Sequence, residues 1–177
     1  MVDNMTKKEF FNSVSNGKKD ILQQFLDLLE KHKIKYCVIG GLAVNAYVEP
    51  VVSLDLDIVI VAAALKGLIT ATERHFKVEK FSHSYNLSTP KSALRIQLQT
   101  DTRYQEYIPR AASKEVMGYM MNVALLEDVL QGKVWAYCDE QRRRSKRQKD
   151  LADISRIVEF KPALKTNLPD SIKTKLV

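Results

Sequence analysis

The sequence is poor in the residues that build several kinds of protein. Only six of its 177 residues are Gly and five are Pro, which excludes collagen-like repeats and Gly/Pro-rich low-complexity chains. Two cysteines, Cys37 and Cys138, stand about a hundred positions apart, too few and too distant for a secreted disulfide framework. Both are read as small apolar residues of a cytoplasmic protein. His32, His75 and His83 show no ligand spacing with either thiol, which argues against a Cys/His metal centre. The longest apolar run, Ile58–Leu65, falls far short of the roughly 20 residues of a membrane helix, so no membrane association is expected. Met1–Lys19 is polar and alternates in charge, unlike a secretory signal.

What is present is a normal share of apolar and charged residues, 45% and 28%, with the excess charge gathered at one end. Residues 1–141 carry 17 basic and 17 acidic side chains, whereas 142–149 (RRRSKRQK) carry six basic residues and no acid. The net charge of +7 therefore belongs to the last fifth of a neutral body. Such a run suits a polyanionic partner, RNA or phosphates, or else a solvated helix face.

Thr6-Lys-Lys-Glu9 has the form of a capping box and predicts a short helix. A longer one follows Asp20, with Ile21, Phe25, Leu28, Leu29 and His32 on one face. Ile34–Ile39 reads as a strand stopping at Gly40-Gly41, and Leu42–Val48 as a short helix broken by Pro50. Leu54–Val61 (LDLDIVIV) alternates acids with apolar residues, a strand with two differently used faces. Helix over 62–76 is followed by strands at 77–81, 85–88 and 93–100 and a pair flanking Gly118. Helices over 124–139 and 143–159 follow. The expected class is α/β (mixed α+β), a small mixed sheet covered by helices with a C-terminal helical pair. One domain spans 1–160, with a sheet core over about 34–123 and helices over about 124–160, and 161–177 is a loosely attached tail.

Chemistry concentrates in Tyr36–Ile58, YCVIGGLAVNAYVEPVVSLDLDI. A period of two puts Asp55 and Asp57 on the same strand face, about 6.5–7 Å apart. Adjacent carboxylates repel, and a divalent cation such as Mg²⁺ between them relieves this while completing its shell with phosphate oxygens. Gly40 and Gly41 leave backbone N–H groups open at a helix start, where phosphate is favoured. Metal-binding acids beside a phosphate cradle point to phosphoryl or nucleotidyl transfer.

This constellation resembles the DNA polymerase β-like nucleotidyltransferase superfamily, in which Gly-Gly or Gly-Ser precedes Asp-x-Asp by some ten to fifteen residues. It is most similar to small bacterial nucleotidyltransferase-like proteins of the abortive-infection toxin type, with later helices like Leu126–Ala136 and Ser145–Ile154. The resemblance covers about 34–160. It implies a nucleotidyltransferase-like fold, two Mg²⁺ ions on Asp55 and Asp57, an NTP bound through Gly40, Gly41 and Ser53, and pyrophosphate release. It also implies a third carboxylate on a later strand. Here that strand reads Leu94-Arg-Ile-Gln97-Leu-Gln99-Thr-Asp101: Arg95, Gln97, Gln99 and Asp101 share a face, Asp101 is the candidate acid, and the central amides Gln97 and Gln99 are substrate-binding candidates. Val51 also departs from the Arg frequent ahead of Ser/Thr-x-Asp-x-Asp in that superfamily.

Downstream, Lys133 falls within the Leu126/Leu130/Tyr137 stripe and either binds phosphate or an acid, or snorkels to water. Trp135, opposite, is expected to pack on the next helix rather than stack on a base. Lys149 and Asp150 are substrate-binding candidates; alternatively Lys146–Asp150 and Lys149–Asp153 are i,i+4 pairs on an exposed helix. The expected activity is Mg²⁺-dependent transfer of an NMP to a hydroxyl of an RNA or protein acceptor, RNA being held by 142–149. The resemblance also implies a toxin component with a cognate antitoxin. The alternative is a degenerate fold binding nucleotide, nucleic acid or protein. Aminoglycoside acceptors are disfavoured, since the excess charge would repel a cation.

Overall fold

The computed structural model describes residues 5–17 and 19–176. It opens with α1 (Lys7–Val14), whose N-cap Thr6 and Glu9 complete the capping box, and α2 (Ile21–Lys31), capped by the Asp20 side chain. Next come β1 (Tyr36–Ile39), the five-residue α3 (Gly40–Val44) and β2 (Asp55–Ile60). A 3₁₀ turn, Ala62–Ala64, leads into α4 (Leu65–Thr72). The strands β3 (Lys77–Lys80), β4 (Ser84–Thr89) and β5 (Ser92–Gln99) follow. A 3₁₀ segment, Thr102–Arg110, precedes β6 (Ala112–Val116) and β7 (Tyr119–Val123). The chain ends with α5 (Leu126–Cys138), α6 (Arg144–Phe160), a 3₁₀ turn (Pro162–Asn167) and α7 (Asp170–Lys173).

The seven strands form one mixed sheet in the order β3-β4-β5-β2-β1-β7-β6. β2 runs antiparallel to β1 and parallel to β5, and β1 runs parallel to β7. The β2–β5 ladder pairs Asp55 with Arg95, Leu56 with Ile96, Asp57 with Gln97 and Ile58 with Leu98. Alternation then sorts the side chains. Leu56, Ile58, Leu94, Ile96 and Leu98 are all buried, on the face where α2 packs against β5. Asp55, Asp57, Arg95, Gln97 and Gln99 emerge on the other face. α5 packs on α6 and on α3, beside the carboxylates.

Two expectations change. Over its described residues, 161–176, the C-terminal segment does not trail loosely: Leu164, Leu168 and Ile172 are buried, and Lys175 donates to the Tyr137 hydroxyl at 2.7 Å. Apolar residues four apart give its short turns enough buried surface to dock, despite Pro162 and Pro169. The stretch between the 93–100 strand and the pair at Gly118 forms a 3₁₀ segment, Thr102–Arg110, instead of an unstructured connection; Asp101 caps it, and Tyr104 and Tyr107, three residues apart, turn inward together. Cys37 is buried, Cys138 is exposed and both are free thiols.

Candidate active site

The site begins at the crossing from β1 to α3. Gly40 has a φ of +70°, a left-handed conformation that disfavours a side chain. A Cβ there would overlap the Asp57 carboxylate and stand 2.9 Å from its Cβ and Cγ. Gly40 is therefore what lets Asp57 sit over the start of α3. Gly41 lines the same hollow beside Ser53, Asp55, Asp57, Lys146 and Lys149. With five residues α3 makes little more than one turn, so the glycines act here through the room they leave rather than through a helix dipole.

Asp55 and Asp57 differ in their surroundings. Asp55 Oδ1 accepts from Arg95 Nε at 2.8 Å and has an Arg95 terminal nitrogen at the same distance, while Lys146 Nζ is 3.7 Å from Oδ2. Asp57 makes no ion pair within 4 Å among the described residues. Burial pushes its carboxyl up to about 6, against the pull of the Lys133 ammonium and with a further push from Asp55. Gln97, its register partner on β5, lines an adjoining crevice with Gln99, Tyr104, Tyr107 and Gly40. Gln99 is partly consumed, since its side-chain oxygen accepts from the Thr100 and Asp101 N–H groups.

Asp101 is not brought to the pair. Its carboxylate is engaged by Arg103, at 2.6 Å to a terminal nitrogen, and lines a separate hollow with Trp135 and Arg142. It lies two residues beyond the end of β5, four positions after the residue opposite Asp57, and caps the 3₁₀ segment. Among the described residues no cluster of three or more Asp, Glu, His or Cys is poised for a metal. Ser53 forms only long contacts with the Asp55 backbone, at 3.4 and 3.5 Å.

Behind the carboxylates lies a buried ionic chain that no local pattern announces. Lys133 is 8% exposed and reaches Asp150 at 3.1 Å and Asp153 at 2.7 Å. Burial opposes its charge, but Asp153 and Asp150 outweigh that and hold the ammonium above its ordinary value. Arg142 bonds Asp150 from the other side at 2.7 Å, and Arg156 bonds Asp153 at 2.7 Å. Arg156 goes on to the Glu49 carbonyl and to Asn45, and Asn45 exchanges bonds with the Val51 backbone at 2.6 and 3.0 Å. The chain thus ties α5 and α6 to the loop that delivers Ser53 and Asp55.

These contacts replace the expected i,i+4 pairs: Asp150 and Asp153 point into the fold, Lys146 turns to Asp55, and Lys149 is exposed at the hollow. Lys133 does not snorkel, and Asp150 positions Lys133 and Arg142 from a buried place. The basic run is likewise divided. Arg142 and Lys146 face acids, and Arg147 donates to the Tyr137 carbonyl at 2.7 Å; Arg143, Arg144 and Lys149 are exposed and form no ion pair among the described residues. Trp135 packs on the 3₁₀ segment, stacked on Tyr107 at 6.1 Å and edge-on to Tyr104 at 5.5 Å. Gly132 permits this approach: a Cβ there would meet Tyr104 at 3.3 Å. Sequence reasoning missed Arg95, Arg142 and Arg156 as site residues. Only Arg95 left a signal, by alternating with Gln97.

No family model and no curated protein matches the chain. Solved structures do match it. The antibiotic-resistance factor ANT(2'')-Ia, in complex with adenylyl-2''-tobramycin, superposes with a TM-score of 0.65 at 14% identity, over 88% of this chain and 94% of that one. The lincomycin-bound lincosamide antibiotic adenylyltransferase LnuA gives 0.53 at 16%, over 80% and 99%. An antigenic nucleotidyltransferase-like protein from Paracoccidioides brasiliensis gives 0.53 at 21%, over 94% and 85%. The fold is that of nucleotidyltransferases, a mixed α/β sheet with its helices, as the Asp-x-Asp pattern led one to expect. Among the described residues no helix is long and apolar enough to cross a membrane.

Proposed function

We propose that the chain transfers a nucleoside monophosphate from an NTP to a hydroxyl, with Asp55 and Asp57 at the centre of the reaction. The observation that carries this reading is the Asp55/Asp57 pair on one face of β2, with Gly40 stripped of a side chain where Asp57 needs the space. The donor set suits a divalent cation, two carboxylates on one strand face open to a cationic hollow. A Mg²⁺ ion there would supply charge compensation for the phosphates and a fixed geometry for the α-phosphorus. The residues do the rest. Lys146 and Lys149 draw the triphosphate in, Gly41 and Ser53 border it, and the buried Lys133–Asp150 pair, with Arg142 on Asp150, holds the floor of the hollow in place. The acceptor oxygen bonds to the α-phosphorus, the bond to the bridging oxygen breaks, and pyrophosphate leaves. Gln97 accepts no proton, so that of the acceptor goes to Asp57 or to water.

The exposed Arg143, Arg144 and Lys149 favour an anionic acceptor such as RNA, and a protein hydroxyl is the other class. The resemblance to abortive-infection toxins extends the reading to a toxin component neutralised by a partner protein. Growth arrest on expression of the wild type, absent for Asp57→Asn, tests that part.

Two observations favour a second reading, a nucleotide-binding module without turnover: Gln97 stands opposite Asp57, and Arg95 grips Asp55. One experiment separates the two. Each α-³²P NTP is incubated with Mg²⁺ and total bacterial RNA or protein, beside the Asp55→Asn/Asp57→Asn double variant. Label on one pool, absent in the variant, establishes transfer and names the acceptor class. Nucleotide binding with no label on either pool establishes the module.

A further inference from the structure

The resemblance implies two ions at the carboxylate pair, and the side chains around it accommodate only one. Two ions between two carboxylates and a third acid need most of the carboxylate oxygens free. Here β5 brings no acid: in register with Asp57 it offers an amide, and in register with Asp55 a guanidinium. That guanidinium is not merely nearby. Arg95 directs two nitrogens to the same oxygen of Asp55, each at 2.8 Å, so Oδ1 is already neutralised by a fixed positive charge. Among the described residues Oδ2 has only Lys146 as an ion-pair partner, at 3.7 Å, which is beyond hydrogen-bond length. Asp57 makes no ion pair within 4 Å among the described residues. The free donors are therefore Asp55 Oδ2 and the Asp57 carboxylate, a set for one ion.

Electrostatics points the same way. A second divalent ion at Oδ1 would have to displace Arg95 and then lie beside it, close to Lys146 as well. With no third carboxylate, nothing offsets that repulsion. Arg95 is well placed for a standing role, because its Cα is fixed by the ladder next to Asp55 and its side chain is 65% exposed, free to lie along the sheet face.

We infer that Arg95 stands in for one of the two metal ions: the site takes its nucleoside triphosphate with a single divalent cation, and Arg95 sets that number. This rests on the proposed nucleotidyl-transfer reading of the site and concerns the metal count alone.

The test counts metal rather than turnover. Equilibrium dialysis of the full chain with Mn²⁺ and the non-hydrolysable ATP analogue AMPCPP gives Mn²⁺ per bound nucleotide, and electron paramagnetic resonance reports any Mn–Mn dipolar coupling. The wild type is expected to bind one Mn²⁺ per nucleotide, without coupling. Arg95→Glu removes the cation and puts an acid in register with Asp55 at an exposed position; it is expected to bind two, with coupling. Asp57→Asn is expected to weaken Mn²⁺-dependent nucleotide binding at least tenfold, showing that the counted ion is held by the protein and not by the nucleotide alone. Two coupled Mn²⁺ ions in the wild type would overturn the inference and leave the nucleotidyl-transfer reading standing. A ratio still at one in folded Arg95→Glu, checked by circular dichroism, would also overturn it alone. Absence of nucleotide binding, or binding indifferent to Asp57→Asn, would overturn both.

Discussion

Gly40 and Asp57 share one space: the volume that a Gly40 side chain would fill is occupied by the Asp57 carboxylate. Gly40 opens α3 directly after β1 and Asp57 lies on β2, and the β1–β2 ladder sets Ile39, the residue before Gly40, opposite Asp57. This relationship makes the Gly-Gly pattern and the Asp-x-Asp pattern one feature rather than two.

Gly40→Ala is accordingly expected to damage the site directly. Its left-handed backbone alone costs a side chain about 1–2 kcal/mol, and Asp57 must also move. Thermal melts should show the loss, and binding of a fluorescent ATP analogue should fall at least tenfold. Gly41→Ala, whose Cβ would find Ser53 Oγ at an ordinary 3.6 Å, should retain stability. Equal behaviour of the two variants would contradict this account.

Lys133 holds two carboxylates in a place nearly closed to water. Lys133→Met leaves Asp150 and Asp153 with Arg142 and Arg156 as their only ion-pair partners among the described residues, and is expected to cost about 3 kcal/mol in urea denaturation. Adding Asp153→Asn should recover part of that loss, because one buried charge disappears. No recovery in the double variant would mean the charges are not coupled.

Burial raises Asp57 to about 6 from the ordinary 3.8. Between those values the folded chain holds a proton that the unfolded chain has lost, so stability without ligand falls as pH climbs from about 4 to about 6. A divalent ion needs the deprotonated carboxylate, so Mn²⁺ affinity should rise over the same range and level off above it, with proton release on binding below pH 6. Asp57→Asn should flatten the stability slope. A Mn²⁺ affinity independent of pH from 5 to 7 would refute the assignment.

Half of the basic run, Arg143, Arg144 and Lys149, is both exposed and outside the ion pairs formed among the described residues. If RNA is bound there, replacing Arg143, Arg144 and Lys149 together by Gln should lower the slope of log K against log salt by about 2, the effect of three phosphate contacts on a single strand. Replacing Arg147, which holds the Tyr137 carbonyl and lies 5.4 Å from that ring, should reduce stability more than RNA affinity. Filter binding across a salt series reads both.

Local rules carried much of this protein. The capping box at Thr6, the alternation that sets Asp55 and Asp57 on one face, the strand stopping at Gly40 and the inward Lys133 stripe depend on residues two to four apart, and such spacings fix direction within one element. What faces those directions belongs to the tertiary structure. The sequence makes Arg95 and Gln97 neighbours of each other; only the parallel β2–β5 register sets them against Asp55 and Asp57. The i,i+4 pairs read along α6 lose to Lys133, Arg142 and Arg156, because a buried ammonium between two carboxylates is far better compensated than exposed pairs worth a few tenths of a kcal/mol. The docking of 161–176 and the turn of Trp135 toward Tyr107 follow the same logic, since burial is decided by whichever apolar surface lies within reach, and reach is a property of the fold.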